Sequence, residues 1–131
     1  MDEHIDPILE AIITEQQEKG GFSVSLLESG TKLSVETKNS IYQILMVGRK
    51  EIKIAGGMTP DGEMRYESPI EAVFVGSTYD GSTTIPDWIG RNMKMQIATN
   101  SGLLTTSVVF NVEIDGPNKR WSYGMEWKRL E

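Results

Sequence analysis

The apolar side chains change period near residue 21, and from Phe22 onward they repeat every second residue. Leu33 and Val35 alternate with polar neighbours, and the same alternation recurs at residues 93–97 and 121–127. Successive side chains of a strand point to opposite faces, so this alternation is typical of half-buried β-strands. Turn residues separate the runs at intervals of about 8–12 residues, which predicts about seven to nine short strands in an all-β fold, a small barrel or a sandwich.

Individual strands follow from the β-prone runs between these turns. We predict strands at residues 22–26, 33–36, 40–47, 51–55, 70–76, 93–97, 103–114 and 120–128. Apolar residues at adjacent positions in 40–47 predict burial on both faces, whereas 93–97 should be half-exposed. Residues 56–69 are rich in glycine and proline, so we expect a mobile loop there, with room for a short strand at 64–67.

One amphipathic helix precedes the β region. Asp6 suits an N-cap, Pro7 suits the first helical position, and Gly20-Gly21 is a stop signal. Its apolar stripe consists of Ile5, Ile8, Leu9, Ile12 and Ile13. A helix over residues 7–19 is marginal alone, so the stripe should be buried against the same domain or a partner. The chain thus divides into an acidic helical segment, residues 1–21, and a single β domain, residues 22–131.

Five short signatures of glycine and small polar residues mark the corners of this β domain. They are TKNSIYQI at 37–44, the pair Gly56-Gly57, VGSTYDGS at 75–82, WIGRNM at 88–93 and TTSVV at 105–109. In order and spacing they resemble a family of short bacterial all-β proteins of no assigned function. That family has Asn-Ser before an aromatic residue, Gly-Gly, a Gly-Ser bend, a Trp-Ile-Gly turn and a closing Thr-Ser-x-Val strand. The resemblance covers residues 32–114 and implies a fold, but no chemistry.

The side chains that most catalytic chemistry needs are scarce. The chain has no cysteine and a single histidine, His4. This excludes a cysteine nucleophile and a disulfide framework, and it removes the usual ligands of a zinc site. A Ser–His–Asp triad would have to be mounted on the N-terminal stretch, which is a poor support for one. We therefore expect a protein that is not an enzyme and that uses no metal or cofactor.

Charge is distributed unevenly along the chain. The net charge is −6, and residues 1–36 carry all of it, with eight acidic and two basic side chains. This acidity disfavours nucleic acid as a partner. It fits a solvated helix that maintains solubility, with docking of a basic partner as the alternative. The chain has no apolar run long enough to span a membrane, and its first residues lack the positive charge of a secretory signal, so we expect a cytoplasmic protein without a membrane partner.

Two motifs allow a ligand-binding interpretation beside a structural one. The bend GSTYDGS at 76–82 has the small residues of an anion cradle but lacks the Gly-Lys-Ser/Thr ending of a phosphate loop, so we favour a β-bulge or barrel corner. Arg91 and Asn92 follow Trp88 closely enough to set a guanidinium beside an aromatic ring. We favour the alternative in which Trp88 closes the end of a barrel and Arg91 is solvated.

The last strand has the clearest functional pattern. Trp121, Tyr123, Met125 and Trp127 occupy every second position and share one face. That face could pack on the core, form a protein interface, or stack on single-stranded nucleic acid between basic flanks; core packing is the favoured alternative. The Asp-Gly-Pro-Asn turn at 115–118 predicts antiparallel pairing of this strand with residues 104–114.

Together these patterns favour a non-catalytic binding or assembly module that self-associates, through the helix stripe or the C-terminal strand. The main alternative is a small-molecule or nucleotide binder that uses Asn39, Ser77, Arg91 and Asn92 around a barrel mouth. A nucleic-acid-binding small barrel is a third possibility, disfavoured by the acidic charge. Small size, an acidic helix and few catalytic groups would also suit a virus- or prophage-encoded accessory protein.

Overall fold

A computed structural model describes residues 6–127 and confirms an all-β fold with one N-terminal helix. Every strand pairing in it is antiparallel. The elements are α1 (Pro7–Lys19), β1 (Gly21–Ser23), β2 (Lys32–Thr37), β3 (Ile41–Met46), β4 (Glu51–Met58), β5 (Met64–Thr78), β6 (Thr84–Pro86), β7 (Trp88–Gly90), β8 (Lys94–Thr99), β9 (Gly102–Asp115) and β10 (Ser122–Glu126), with 3₁₀ turns at Val24–Leu26 and Pro117–Lys119.

Six of the strands pair in a closed ring, in the order β2, β3, β4, β5, β8, β9 and back to β2. The two long strands make this closure possible, because β5 passes from β4 to β8 at Val73 and β9 passes from β8 to β2 at Val109. Register shifts interrupt the β5–β8 and β8–β9 pairings. Such bulges bend a strand and allow a sheet to close. β10 pairs with the second half of β9 and lies outside the ring.

The ring is filled by the side chains that the period-two pattern assigns to one face. Leu33 and Val35 of β2 are buried, and their polar neighbours on the strand are not. The same alternation places Ile52 and Ile54 of β4 inside. The core also includes Phe22, Val24, Tyr42, Ile44, Met46, Phe74, Met95, Ile97, Val109, Val112 and Ile114.

The helix has the predicted bounds and docks on its own chain. Oδ1 of Asp6 accepts a hydrogen bond from the Ile8 N–H at 2.9 Å, and Gly20 ends the helix in the left-handed conformation with φ of 74°. Ile12 is fully buried in the core, and Ile8 packs against it. Leu9 and Ile13 are only half-buried, so the prediction that the described part of the stripe is buried holds fully for Ile12 alone. Ile5 lies outside the described residues.

The glycine pair Gly56-Gly57 was predicted to begin a loop over residues 56–69, and this prediction is wrong. β4 continues through Gly56 and Gly57, which adopt φ of 85° and 80°. A Cβ on Gly56 would lie 2.6 Å from the Ile41 carbonyl oxygen, and one on Gly57 would lie 2.3 Å from the Tyr42 ring. The glycines therefore let β4 pass close to β3 beside a bulge, and the β4–β5 hairpin extends to a turn at residues 59–63.

Other predictions of local structure were wrong in detail. The strand expected at 22–26 ends at Ser23, whose hydroxyl accepts from the Ser25 N–H and starts a 3₁₀ turn. Residues 88–90, expected as a turn, form β7 and pair with β1. Ile41 is half exposed, so β3 is not buried on both faces. The strand at 93–97 was expected to be half-exposed, but Gln96 is buried on β8. Its side-chain oxygen accepts from the Thr84 hydroxyl of β6, and its side-chain NH₂ donates to the Thr105 hydroxyl of β9.

Replacing Ile12 by alanine should lower the free energy of unfolding by about 2–5 kcal/mol, because it removes a large side chain from the closed core. Thr14→Ala, exposed on the same helix, should change it by less than about 0.5 kcal/mol. Urea unfolding followed by circular dichroism measures both values. Equal small effects for the two variants would contradict docking of the helix through Ile12.

Candidate functional site

The predicted C-terminal hairpin is present. Residues 122–126 pair antiparallel with residues 111–115 of β9. The connection contains a 3₁₀ turn in which Asn118 and Lys119 have φ of 57° and 55°. Arg120 after this turn forms ion pairs with Asp6, at 3.1 Å, and with Glu28. The hairpin is thereby tied to the N-terminal part of the chain.

The aromatic face of β10 packs on the protein's own core. Met125 and Trp127 are each 4% exposed and belong to the core, and Trp121 and Tyr123 are half-buried against it. The expectation that both indoles lose most of their exposure is therefore confirmed, more completely for Trp127 than for Trp121. The protein-interface and nucleic-acid hypotheses both required this aromatic face to be exposed, and most of it is buried against the core. Lys128 and Arg129, which would form one of the basic flanks of a nucleic-acid site, lie outside the described residues.

The backbone N–H and C=O groups of successive β10 residues point alternately toward β9 and away from it. The N–H of Trp127 donates to the carbonyl oxygen of Phe110 at 2.8 Å, and the Trp121 carbonyl accepts from the N–H of Gly116 at 2.7 Å. In an antiparallel pair, residues alternate between those whose polar groups face the partner and those whose groups face away. Odd-numbered residues of β10 therefore direct their N–H and C=O at β9, and even-numbered residues direct theirs away from it.

Ser122, Gly124 and Glu126 thus present an open row of backbone donors and acceptors. All three are exposed, and their outward N–H and C=O groups have no hydrogen-bond partner among residues 6–127. A Cβ atom added to Gly124 would contact one atom, the Cγ of Glu113, at 4.0 Å. We call this row the β10 edge.

Other strand edges in the described chain are better protected. The segment of β5 before Val73 has β4 on one side and no paired strand on the other, but it contains Pro69 between two glutamates. β6 has three residues and ends in Pro86. Proline and charge on an edge discourage pairing with another chain. The β10 edge has no proline or lysine, and its only charged residue is Glu126.

Asn39 lies at an open cavity of about 450 Å³ at the barrel mouth, between the β4–β5 turn and the first half of β9. Its backbone N–H donates to Oγ of Ser107 at 3.2 Å. Arg65, which the sequence did not single out, also lines this cavity. It lies in the segment predicted as a loop, and only the pairing of β4 with β5 brings it to the mouth.

Arg91 and Asn92 line a different cleft, against the C-terminal end of the helix, together with Lys19, Gly20 and Tyr79. The Arg91 N–H donates to the Gly20 carbonyl oxygen at 2.8 Å. Asn92 has φ of 58°, and its side-chain oxygen is buried without a hydrogen-bond donor. Arg91 and Asn92 therefore line one cleft together, but this cleft lies at the end of the helix and not beside Asn39.

Ser77 and Trp88 serve the contact between β5 and β7. The hydroxyl of the fully buried Ser77 donates to the Trp88 carbonyl oxygen at 2.5 Å. The half-buried indole of Trp88 lies so close to Gly21 and Gly90 that a Cβ on either would approach it within 3 Å, at 2.8 and 2.7 Å. Trp88 therefore packs at the junction of the small β1–β7 sheet, and the four residues proposed for one mouth lie in three places.

The GSTYDGS bend is closed by its own carboxylate. The backbone N–H groups of Ser82 and Thr83 each donate to Oδ1 of Asp80 at 2.9 Å, and the Thr78 hydroxyl donates at 3.1 Å. These hydrogen bonds, with that from Thr83 the largest cause, hold the pKa of Asp80 below its ordinary value of 3.8. Amides that could cradle an external anion are engaged by Asp80, which supports the structural interpretation of this motif.

Residues 6–127 contain no group of three His, Asp or Glu side chains close enough to share a metal ion. No helix in the same range has the length and apolarity needed to cross a membrane. His4, the single histidine, lies outside the described residues.

Comparison of the chain with protein-family models, with curated proteins and with solved structures finds no match.

The depressed pKa of Asp80 predicts a pH dependence of stability. Its hydrogen bonds contribute stability above the ordinary pKa of 3.8, and this contribution is lost as pH falls through the lower folded-state pKa. Asp80→Asn should therefore be less stable than wild type at neutral pH, and the difference should shrink below about pH 4. Urea unfolding across this range measures it. Asp61→Asn, at an exposed carboxylate without a hydrogen-bond partner among residues 6–127, is the control, and a pH-independent gap for Asp80→Asn would contradict the account.

Proposed function

We propose that the protein is a non-catalytic assembly module that pairs with a second copy of itself through the β10 edge. The observation that carries this proposal is the row of unpaired backbone groups at Ser122, Gly124 and Glu126. Such a row is a ready template for another strand. A second copy is the simplest partner, because two identical edges related by a two-fold axis are complementary to each other.

Antiparallel pairing centred on Gly124 uses the whole row. Gly124 then lies opposite Gly124 of the second copy, and Ser122 lies opposite Glu126 of the second copy. All three residues direct N–H and C=O outward, so each opposed pair can exchange two hydrogen bonds. A shift by one residue would set outward-facing groups against residues whose polar groups face β9, and a shift by two would leave part of the row unpaired. The register centred on Gly124 is therefore favoured.

Side chains are compatible with this register. Like charges directly opposite each other destabilise a strand pair, and here Glu126 meets a serine hydroxyl instead of a second carboxylate. On the other face, the partly exposed Tyr123 lies opposite Met125 of the second copy. Backbone hydrogen bonds alone do not overcome the entropy of association, and covering the exposed part of Tyr123 adds an apolar contribution.

The two contact surfaces expected from the sequence are largely used inside the chain. Ile12 of the helix stripe and the aromatic face of β10 are both part of the core. Their burial supports an assembly role in a different way, because Met125 and Trp127 hold β10 rigidly against the barrel. A rigid edge loses little entropy when a second strand pairs with it. The acidic net charge continues to disfavour a nucleic-acid role.

Gly124→Pro should abolish dimer formation without unfolding the protein. Proline removes an N–H that faces away from β9, so the pairing within the chain is kept while the edge is blocked. Gly124→Ala is the matched control, because it keeps the N–H and its Cβ has space. Sedimentation velocity between about 10 µM and 1 mM should show dimers for wild type and Gly124→Ala only. A wild type that stays monomeric, or a dimeric Gly124→Pro, would contradict the proposal.

The register can be tested with charges. Ser122→Glu sets two carboxylates opposite each other across the two-fold axis and should weaken the dimer. Adding Glu126→Lys to it restores opposite charges between the copies and should recover association. Within the chain, residue 122 lies opposite Asp115 in both variants and residue 126 lies opposite the neutral Asn111, so the charge change at residue 126 acts mainly on the contact between copies. Equal dimer affinities for the single and the double variant would rule out this register.

A further inference from the structure

The cavity at the barrel mouth has the chemistry of a binding site that is separate from the β10 edge. It encloses about 450 Å³, which lies in the range of roughly 300–1,000 Å³ typical of small-molecule sites. Its walls come from the β3 start, the β4–β5 turn and the first half of β9. The lining residues are Asn39, Ser40, Tyr42, Met58, Thr59, Pro60, Gly62, Arg65, Thr105, Thr106 and Ser107.

Arg65 is the cation of this cavity and is poorly satisfied by the protein. Its Nε is buried and has no acceptor among residues 6–127. Its one described hydrogen bond joins Nη2 to the Met58 carbonyl oxygen at 3.4 Å, which is long for such a contact. No ion pair with a described carboxylate includes Arg65. A guanidinium has five N–H donors, so the partly exposed end of Arg65 keeps free donors for an acceptor in the cavity.

The polar side chains around Arg65 offer more hydrogen-bond donors than acceptors to a ligand. Oγ of Ser107 already accepts from the Asn39 N–H at 3.2 Å, so its own proton is available to a ligand. The Ser40 hydroxyl has no described hydrogen bond. Asp61 and Glu63 belong to the nearby turn but do not line the cavity. The cavity therefore offers donors and one positive charge, which suits an anionic oxygen ligand.

Apolar surface lies next to these donors. Met58 and Pro60 form part of the wall, and Met58 is 45% exposed. The ring of Tyr42, packed against Gly57, contributes another part. A ligand that fills this cavity therefore needs an apolar body as well as an anionic end. Arg65 is the one cation among the described residues of the lining, which matches a single negative charge on the ligand.

We infer that the barrel mouth binds a small organic carboxylate, with Arg65 and the Ser107 hydroxyl holding the carboxylate and Met58 and Pro60 contacting the apolar body. Of the four residues that the sequence suggested for a ligand site at the barrel mouth, only Asn39 lines this cavity. It does not depend on self-association, because none of its residues belongs to the β10 edge.

The test uses benzoate and its neutral analogue benzamide, with inorganic phosphate as a third probe, in ¹H–¹⁵N NMR titrations of the full chain. Benzoate should shift the amides of Asn39, Arg65 and Ser107 in a saturable way, and benzamide should bind about tenfold or more weakly. Saturable shifts with phosphate but none with benzoate would overturn the assignment to a carboxylate. Equal affinity for benzoate and benzamide would show that the charge of Arg65 is not used, and would overturn it too.

Variants separate a binding role of Arg65 from a structural one. Arg65→Met keeps an unbranched apolar stem and removes the guanidinium, so benzoate binding should weaken about tenfold or more while the melting temperature stays unchanged or rises. Arg65→Lys should retain part of the affinity, and Arg49→Met, at an exposed arginine outside the cavity, should bind as wild type does. Unchanged binding by Arg65→Met would refute the inference, and weakened binding together with a lowered melting temperature would assign Arg65 a structural role instead.

Discussion

Closure of the ring through β8 is the constraint on which the rest of the structure depends. Closing a sheet into a barrel requires tilted, staggered strands, and here the long strands β5 and β9 each reach both halves of the barrel. β8 occupies one edge of β9 only as far as Val108, so the same edge further along remains open for another strand. β10 fills that position and is held by its hydrophobic face. Among residues 6–127 no strand other than β9 pairs with β10, so β10 forms an edge of the sheet.

Both proposed binding surfaces follow from this closure. The β10 edge exists because β10 extends the sheet outside the ring, and its residue Met125 and the following Trp127 anchor it in the core. The mouth cavity exists because the β4–β5 hairpin projects past β3 and lies beside residues 105–107 of β9. The donors of the edge are backbone groups, whereas the mouth depends on one side chain, Arg65. The two surfaces can therefore be altered independently by single substitutions.

The sequence predicted the parts that depend on local rules. Asp6, Pro7 and Gly20 defined the helix, and the turn after Asp115 defined the last hairpin. It could not predict features that depend on which strands become neighbours. Gly56 looked like a loop signal because only the approach of β3 gives it a role inside a strand. Arg65 carried no local signature either, and Asn39 and Arg91 were grouped together because sequence patterns do not show on which side of a barrel a corner lies.

Amide hydrogen exchange at β10, measured as a function of protein concentration, tests the central claim most directly. The amides of Tyr123 and Met125 face β9 and should be protected at every concentration. Those of Ser122, Gly124 and Glu126 should exchange freely in dilute solution and become protected once the protein associates. Free exchange of these three amides in the associated protein would contradict pairing through the β10 edge, and so would protection that does not depend on concentration.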